Sequence, residues 1–472
     1  MLGRYRAGVL DLTEISRFPN DPVSQHGALQ WDILRIWLEM TRALERASGA
    51  RVASVGVDAW GVDYALIGEG GRLLENPYHY RDARTEHVMD AVFERVSREH
   101  IYATTGVQFV RINTLFQLFA ACRATPAVVE SARTLAMIPD LLNYWLTGDL
   151  VSEYTIATTT QLVDAQTRRW ATELLDDLGL PARLLPPIAE PASRLGTIRP
   201  EVSSALAGTP VVAPACHDTA SAVASVRAGG GTAFISSGTW SLLGTEVAAP
   251  VITPRAFELN FTNEGGVCGT TRLLKNICGL WLLHECRHAW AAAGRDLGYD
   301  DLIAAASDDD LAFQSLVDPD CPDFDRPADM VSAIAAYCRR TDQPVPPGPP
   351  ACARAILESL AFKYRVVLES LEAVTGSRFS QIRVVGGGSR NRLLNQFTAD
   401  ATGRVVVAGP AEATALGNIA VQMLATGAVA SLDEARDVID RSFPTERFEP
   451  AEPDRWDAEY ERFRQYVELT CA

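Results

Sequence analysis

The sequence predicts an α/β protein of two domains, and three observations carry that prediction. The last third alternates strand and helix. It has an apolar run Gln381 to Val385, the glycines Gly386-Gly387-Gly388, and a stretch Ser389 to Thr402 with Leu393, Leu394, Phe397 and Ala401 on one face. A second apolar run, Arg404 to Ala408, and a helical stretch, Glu412 to Thr426, complete a βαβα pattern. The middle holds a strand-to-helix corner, where the run beginning Val211-Val212-Ala213 leads through Cys216-His217 into Asp218 and a small-residue helix, Thr219 to Arg227. The length of 472 residues suffices for two cores.

Composition narrows the function classes. Hydrophobic content of 47% with 22% charged residues is that of a globular chain. A net charge of −16, from 43 basic and 59 acidic residues, argues against nucleic acid as a main partner and offers no basic stripe to a membrane. No apolar run is long enough to span a bilayer, and the first residues form no signal peptide. Nine cysteines without a CxxC pair read as reduced thiols, so a cytoplasmic location is expected. Only two lysines occur, Lys275 and Lys363.

Taken in order, Tyr5 to Arg17 with Gly8 at its middle suggests a strand or hairpin arm, and Trp31 to Ala47 has helical spacing. Val52 to Val57 reads as a strand. Asp58-Ala59-Trp60-Gly61-Val62-Asp63 follows, then a second strand, Tyr64 to Ile67, and a glycine-rich turn, Gly68 to Gly71. Acidic residues and a glycine after a strand mark either a ligand crevice or a polar turn, and both readings stand. Tyr80-Arg81-Asp82-Ala83-Arg84 fits either a polyol-orienting group or a surface ion-pair cluster. Helices are predicted over 84–98, 113–123 and 138–146, and a loop over Pro181 to Pro191. Asp218 also has two readings: a helix N-cap, or an ionised carboxylate placed to accept a proton from a substrate hydroxyl.

Arg227 to Gly231 reads as the hinge between domains. Thr232 to Gly244 reads as strand, small polar turn and strand, either a phosphate cradle or a plain hairpin. Leu273 to Trp281 reads as the start of a helix whose first turn carries Lys275 and Asn276, and residues 307–326, rich in aspartate, as a solvated surface segment. The 386–388 glycine loop suits a nucleotide lying over a helix N-terminus, or tight packing.

Together these motifs resemble the FGGY family of carbohydrate kinases. The residues that carry the resemblance are Asp58 to Asp63, His217-Asp218-Thr219-Ala220-Ser221, Ser236 to Leu242, Leu274-Lys275-Asn276 and Gly386-Gly387-Gly388, and similarity runs from residue 1 to about residue 445. The resemblance implies the actin/hexokinase-like (ASKHA) fold, two RNase H-like α/β domains with an active-site cleft between them. It implies an N-terminal sugar-binding domain over 1–226 and a C-terminal nucleotide-binding domain over 227–472, with a tail from about 445. It implies Asp218 as the general base and a magnesium-linked carboxylate, and Gly61, His217, Thr219 and Asn276 as sugar contacts. Thr239 would touch ATP phosphates and Gly387 the nucleotide, with Mg²⁺ offsetting charge. The implied reaction converts L-rhamnulose and ATP to L-rhamnulose 1-phosphate and ADP. Another ketose or polyol such as L-fuculose, or a weakly catalytic sugar-binding relative, is the alternative.

The sequence departs from the family pattern twice. His284 stands where the family has an ATP-contacting glutamine, and an imidazole does not copy an amide. The family's opening strand and D-x-G-x-S-x-x-R phosphate turn have no counterpart. The expectation is therefore that Met1 is an internal residue of a longer natural protein, lacking a strand and a turn of roughly 15 residues through a start-site error. The chain as written is then expected to be a poor kinase. Two other classes are disfavoured. A dinucleotide fingerprint needs glycine at the position of Asn391, and neither lysine follows a G-x-x-x-x-G run.

Overall fold

The computed structural model describes residues 1–471. The chain forms two units, and neither is one continuous stretch. The first takes Met1–Arg227, Glu246–Leu273 and Ala413–Ser442; the second takes Ala228–Thr245, Leu274–Glu412 and the residues from Phe443 onward. The compact units therefore interleave along the chain, with 246–273 and 413–442 grouped with residues 1–227. Packing explains why these segments return. The Ala413–Ala425 helix lies so close to the Asp218–Ala224 helix that a Cβ built on Gly417 would sit 1.7 Å from the Ser221 carbonyl oxygen. The Leu432–Ser442 helix packs on the Val9–Thr13 strand, whose Leu10 N–H donates to the Ser442 hydroxyl at 2.9 Å. Asn263 donates to the Gly106 carbonyl at 3.0 Å.

In the first unit, Leu2–Arg6 and Val9–Thr13 form an antiparallel hairpin. Ala7 and Gly8, both at positive φ (49° and 79°), make its two-residue turn, the handedness that matches strand twist. The Ile33–Ala47 helix is capped by Asp32, which accepts from the Arg35 N–H. Tyr64–Ile67 pairs with Thr134–Met137. The run 52–57 is not a regular strand: it makes isolated parallel bridges, Val55 to Val211, followed by Ala59 to His217. Its other side meets a side chain, Asn418, which donates to the Gly56 carbonyl at 3.2 Å. The helix predicted over 84–98 is also broken. His87 is left-handed, a short helix runs Val88–Phe93, and Ser97 caps a new helix, Arg98–Thr105. Thr114–Ala124 and Ile138–Thr147 are helical as expected.

The second unit is organised on consecutive strands of a seven-stranded sheet, which runs Thr262–Gly265, Thr271–Cys278, Trp240–Val247, Thr232–Ser237, Gln381–Val385, Val405–Ala408, Glu446–Phe448. The pairs joining Thr232–Ser237, Gln381–Val385 and Val405–Ala408 are parallel, and the Arg392–Thr402 helix makes the second crossover. Two expectations fail here. Lys275 and Asn276 lie on a strand, because Thr271–Cys278 is extended and the helix begins only at Trp281. At the break, Gly279 has no room for a side chain: a Cβ would lie 2.7 Å from the Trp240 carbonyl carbon. Segment 307–326 is not uniformly solvated. Leu316, Val317, Asp318, Cys321 and Phe324 are buried, and Asp318 ion-pairs with Lys363 at 2.8 Å. Among the described residues, no helix is long and apolar enough to cross a membrane.

Candidate functional site

The corner at residue 218 is built by backbone pairing. Ala59 N–H donates to the Cys216 carbonyl and Asp218 N–H to the Ala59 carbonyl, each at 2.9 Å, so Gly61 and Asp218 come to the same end of two parallel segments. That end is where α/β sheets place ligands. Asp218 is not the N-cap: His217 holds that position and Asp218 is the first helical residue. Its Oδ1 accepts from the Thr219 N–H at 2.5 Å and the Thr219 hydroxyl at 3.2 Å. The carboxylate is 44% exposed while His217 beside it is 9% exposed, so Asp218 presents a fixed, solvent-facing carboxylate at a buried corner.

The corner is anchored by buried acids that the motif reading passed over. Glu153 Oε2 accepts from the Cys216 N–H at 3.0 Å and the Thr155 hydroxyl at 2.6 Å, and Thr155 Oγ1 accepts from the His217 N–H at 3.1 Å. Burial pushes the Glu153 carboxyl up to about 7, against the pull of its Thr155, Ile156 and Cys216 donors. Asp58 is likewise pushed up to about 7 by burial, opposed by the Asn418 amide and reinforced by the charge of Asp218. The Asn418 amide donates to Asp58 at 2.5 Å and is itself oriented by Gln422 and, beyond it, Ser54. On the far side of His217 lie two fully buried charges, Glu264 and Arg272, paired at 3.1 Å.

Asp63, the other acid of the 58–63 motif, is committed to structure. It accepts from the indole N–H groups of Trp31 at 2.6 Å and Trp60 at 3.0 Å, and from the Gln117 amide at 2.9 Å. Burial still raises its carboxyl to about 6. Gly61 has a packing reason to be glycine, since a Cβ would lie 3.1 Å from Thr159.

The remaining predicted residues, Thr239, Asn276, His284 and Gly387, belong to the second unit. The Thr239 turn and the 386–388 loop follow the paired parallel strands Thr232–Ser237 and Gln381–Val385, again at strand C-terminal ends. The three glycines differ. A Cβ on Gly386 would lie 2.9 Å from the Ser237 carbonyl oxygen and one on Gly388 2.0 Å from the Ser237 hydroxyl, whereas one on Gly387 would meet nothing within 4 Å. Gly386 and Gly388 are required by the fold, and Gly387 faces open space. His284 lies in the first turn of the Trp281–Ala292 helix, where burial, then the charges of Arg287 and His288, lower its basicity.

Comparison with known proteins places this arrangement. In solved structures the fold is that of sugar and polyol kinases. A ligand-bound xylulose kinase from Lactobacillus acidophilus superposes with a TM-score of 0.76 at 18% identity, covering 95% of this chain and 91% of that one. A glycerol kinase from Plasmodium falciparum gives 0.76 at 16% identity, over 96% and 93%. Residues 16–225 match the N-terminal domain, and residues 233–426 the C-terminal domain, of the FGGY family of carbohydrate kinases. The chain belongs to that family and is a carbohydrate kinase. Curated relatives include proteins named rhamnulokinase from Bacteroides thetaiotaomicron, 46% identical over 99% of this chain and 96% of the relative, and from Oceanobacillus iheyensis, 40% identical over 93% of each.

Proposed function

We propose that the chain transfers the terminal phosphoryl group of ATP to the O1 hydroxyl of L-rhamnulose, giving L-rhamnulose 1-phosphate and ADP in L-rhamnose catabolism. The observation that carries this reading is the half-exposed Asp218 carboxylate at a strand end, in a sequence 46% identical to a relative named rhamnulokinase. Asp218 takes the proton from the attacking hydroxyl. His217, Thr219, Gly61 and Asn276 orient the ketose, so that its hydroxyl is presented to the carboxylate. Thr239 and Gly387 receive the nucleotide. Mg²⁺ needs only one or two protein carboxylates when phosphates supply its other ligands, and the exposed Asp218 fits that demand; the ion would offset charge on the phosphates.

An ADP-release assay over a ketose and polyol panel tests the substrate. L-Rhamnulose is expected to give the highest kcat/KM. A higher value for L-fuculose, D-xylulose or glycerol overturns the sugar assignment, and saturable ketose binding without ADP release identifies a sugar-binding relative instead.

The nucleotide side has its own test. Gly387→Val adds a side chain where the protein offers no obstacle, so the fold is expected to persist. The KM for ATP is expected to rise at least tenfold while the ketose Kd stays within about twofold, a difference of 1.4 kcal/mol or more in nucleotide binding alone. An unchanged KM for ATP places the nucleotide elsewhere.

A further inference from the structure

The two ring nitrogens of His217 have different neighbours. Nδ1 lies 3.2 Å from Arg272 Nη2, in hydrogen-bonding geometry, and 3.3 Å from Glu264 Oε2. Nε2 faces Asp218 Oδ1 at 3.5 Å. These neighbours make opposite demands. A guanidinium has only donors, so Arg272 can bond Nδ1 only when that nitrogen is bare and the proton sits on Nε2. A carboxylate only accepts, so Glu264 would require the proton on Nδ1.

The local geometry favours Arg272. Its Nε donates to the Gly265 carbonyl at 2.8 Å, which fixes the plane of the fork. Glu264 Oε2 receives no aligned hydrogen bond although it is buried, and its closest cation is Arg272 Nη2 at 3.1 Å. Burial opposes the charge on Glu264, but Arg272 and then His217 hold its carboxyl below the ordinary range. Glu264 thus offsets the charge of a buried arginine and leaves the ring proton on Nε2.

We propose that Arg272 is a positioning residue that holds His217 as its Nε2–H tautomer, so that the ring presents a donor toward Asp218 and the ketose. The inference rests on the reading that places His217 at the ketose. With the proton on Nε2, the ring can donate to a ketose oxygen or to Oδ1. In the other tautomer a lone pair would face the carboxylate and repel it.

The test uses the full chain labelled with ¹⁵N-histidine at pH 8, where an ordinary imidazole is neutral. The His217 signals are identified by their loss in His217→Gln. Wild type is expected to show the Nε2–H tautomer, and Glu264→Gln to keep it. Arg272→Met leaves Glu264 as the partner of Nδ1 and is expected to switch the ring to Nδ1–H, with the ketose KM raised about tenfold. Adding Glu264→Gln to Arg272→Met supplies an amide donor and is expected to restore Nε2–H and lower the KM again. An Nδ1–H ring in wild type, or an unaltered tautomer in Arg272→Met, overturns the proposal. Should Arg272→Met not fold, the wild-type and Glu264→Gln spectra decide. An expected tautomer pattern combined with an unchanged ketose KM in His217→Gln overturns the ketose-site reading while upholding the role of Arg272.

Discussion

Asp218→Asn is expected to lower kcat by about a hundredfold to ten-thousandfold, the range typical for loss of a general base, while ketose binding persists. The substitution is structurally mild. Asp218 accepts from the Thr219 N–H through Oδ1, and an asparagine carbonyl can take the same bond, so the first turn of the Asp218–Ala224 helix is kept. What changes is the capacity to hold a proton. ADP release measures the rate and calorimetry measures the ketose Kd. A kcat within about threefold of wild type would remove Asp218 as the base. A ketose Kd weakened in step with kcat would instead make it a binding group, since only interactions specific to the transition state lower kcat alone.

The largest structural effect is expected at the second of the two lysines. Lys363 Nζ lies 2.8 Å from Asp318 and 3.0 Å from Asp320, and the Lys363 and Asp318 side chains are 8% and 3% exposed. Asp320 in turn accepts from the Cys278 N–H at 2.7 Å, tying the end of the strand that carries Asn276 into the cluster. Lys363→Met leaves a carboxylate buried without its counter-charge, which costs about 3–5 kcal/mol. The melting temperature is expected to fall by roughly 6–20 °C for units of this size. A fall under about 2 °C would show that the cluster contributes little. Combining Lys363→Met with Asp318→Leu should recover much of the loss, because it removes the two buried charges with their desolvation cost and leaves only the part-exposed Asp320.

Elements with a self-contained signal are legible from the amino-acid order. The strand Gln381–Val385, the glycine loop and the Arg392–Thr402 helix follow from apolar period and glycine alone, as does the 218–224 helix. The Thr271–Cys278 strand is not legible locally. Leu273, Leu274, Ile277 and Trp281 fall at spacings that fit one helix face, and what decides for a strand is the neighbouring strand Trp240–Val247. The motif residues Gly61, His217, Asp218 and Thr219 were marked by the sequence, but their supports were not. Glu264 and Arg272 are eight positions apart and meet His217 only once the chain has turned at Val267–Gly269. Glu153 reaches Cys216 across 63 positions. Asp318 and Lys363, 45 positions apart, look like ordinary surface charges until the fold brings them together in the interior.

The return of Ala413–Ser442 to the first unit has a consequence for biosynthesis. A ribosome delivers Met1–Arg227 first, yet the surface that receives the Ala413–Ala425 helix at Gly417 has no covering until that helix has been made. At 5–20 residues per second, residue 442 is joined roughly 10–45 s after residue 227. Through that interval the nascent N-terminal portion carries the Asp218 corner without Asn418, the donor that orients Asp58. The order of emergence from the ribosome is therefore not the order of completion: the unit begun by the earlier residues must wait until residue 442 has been joined.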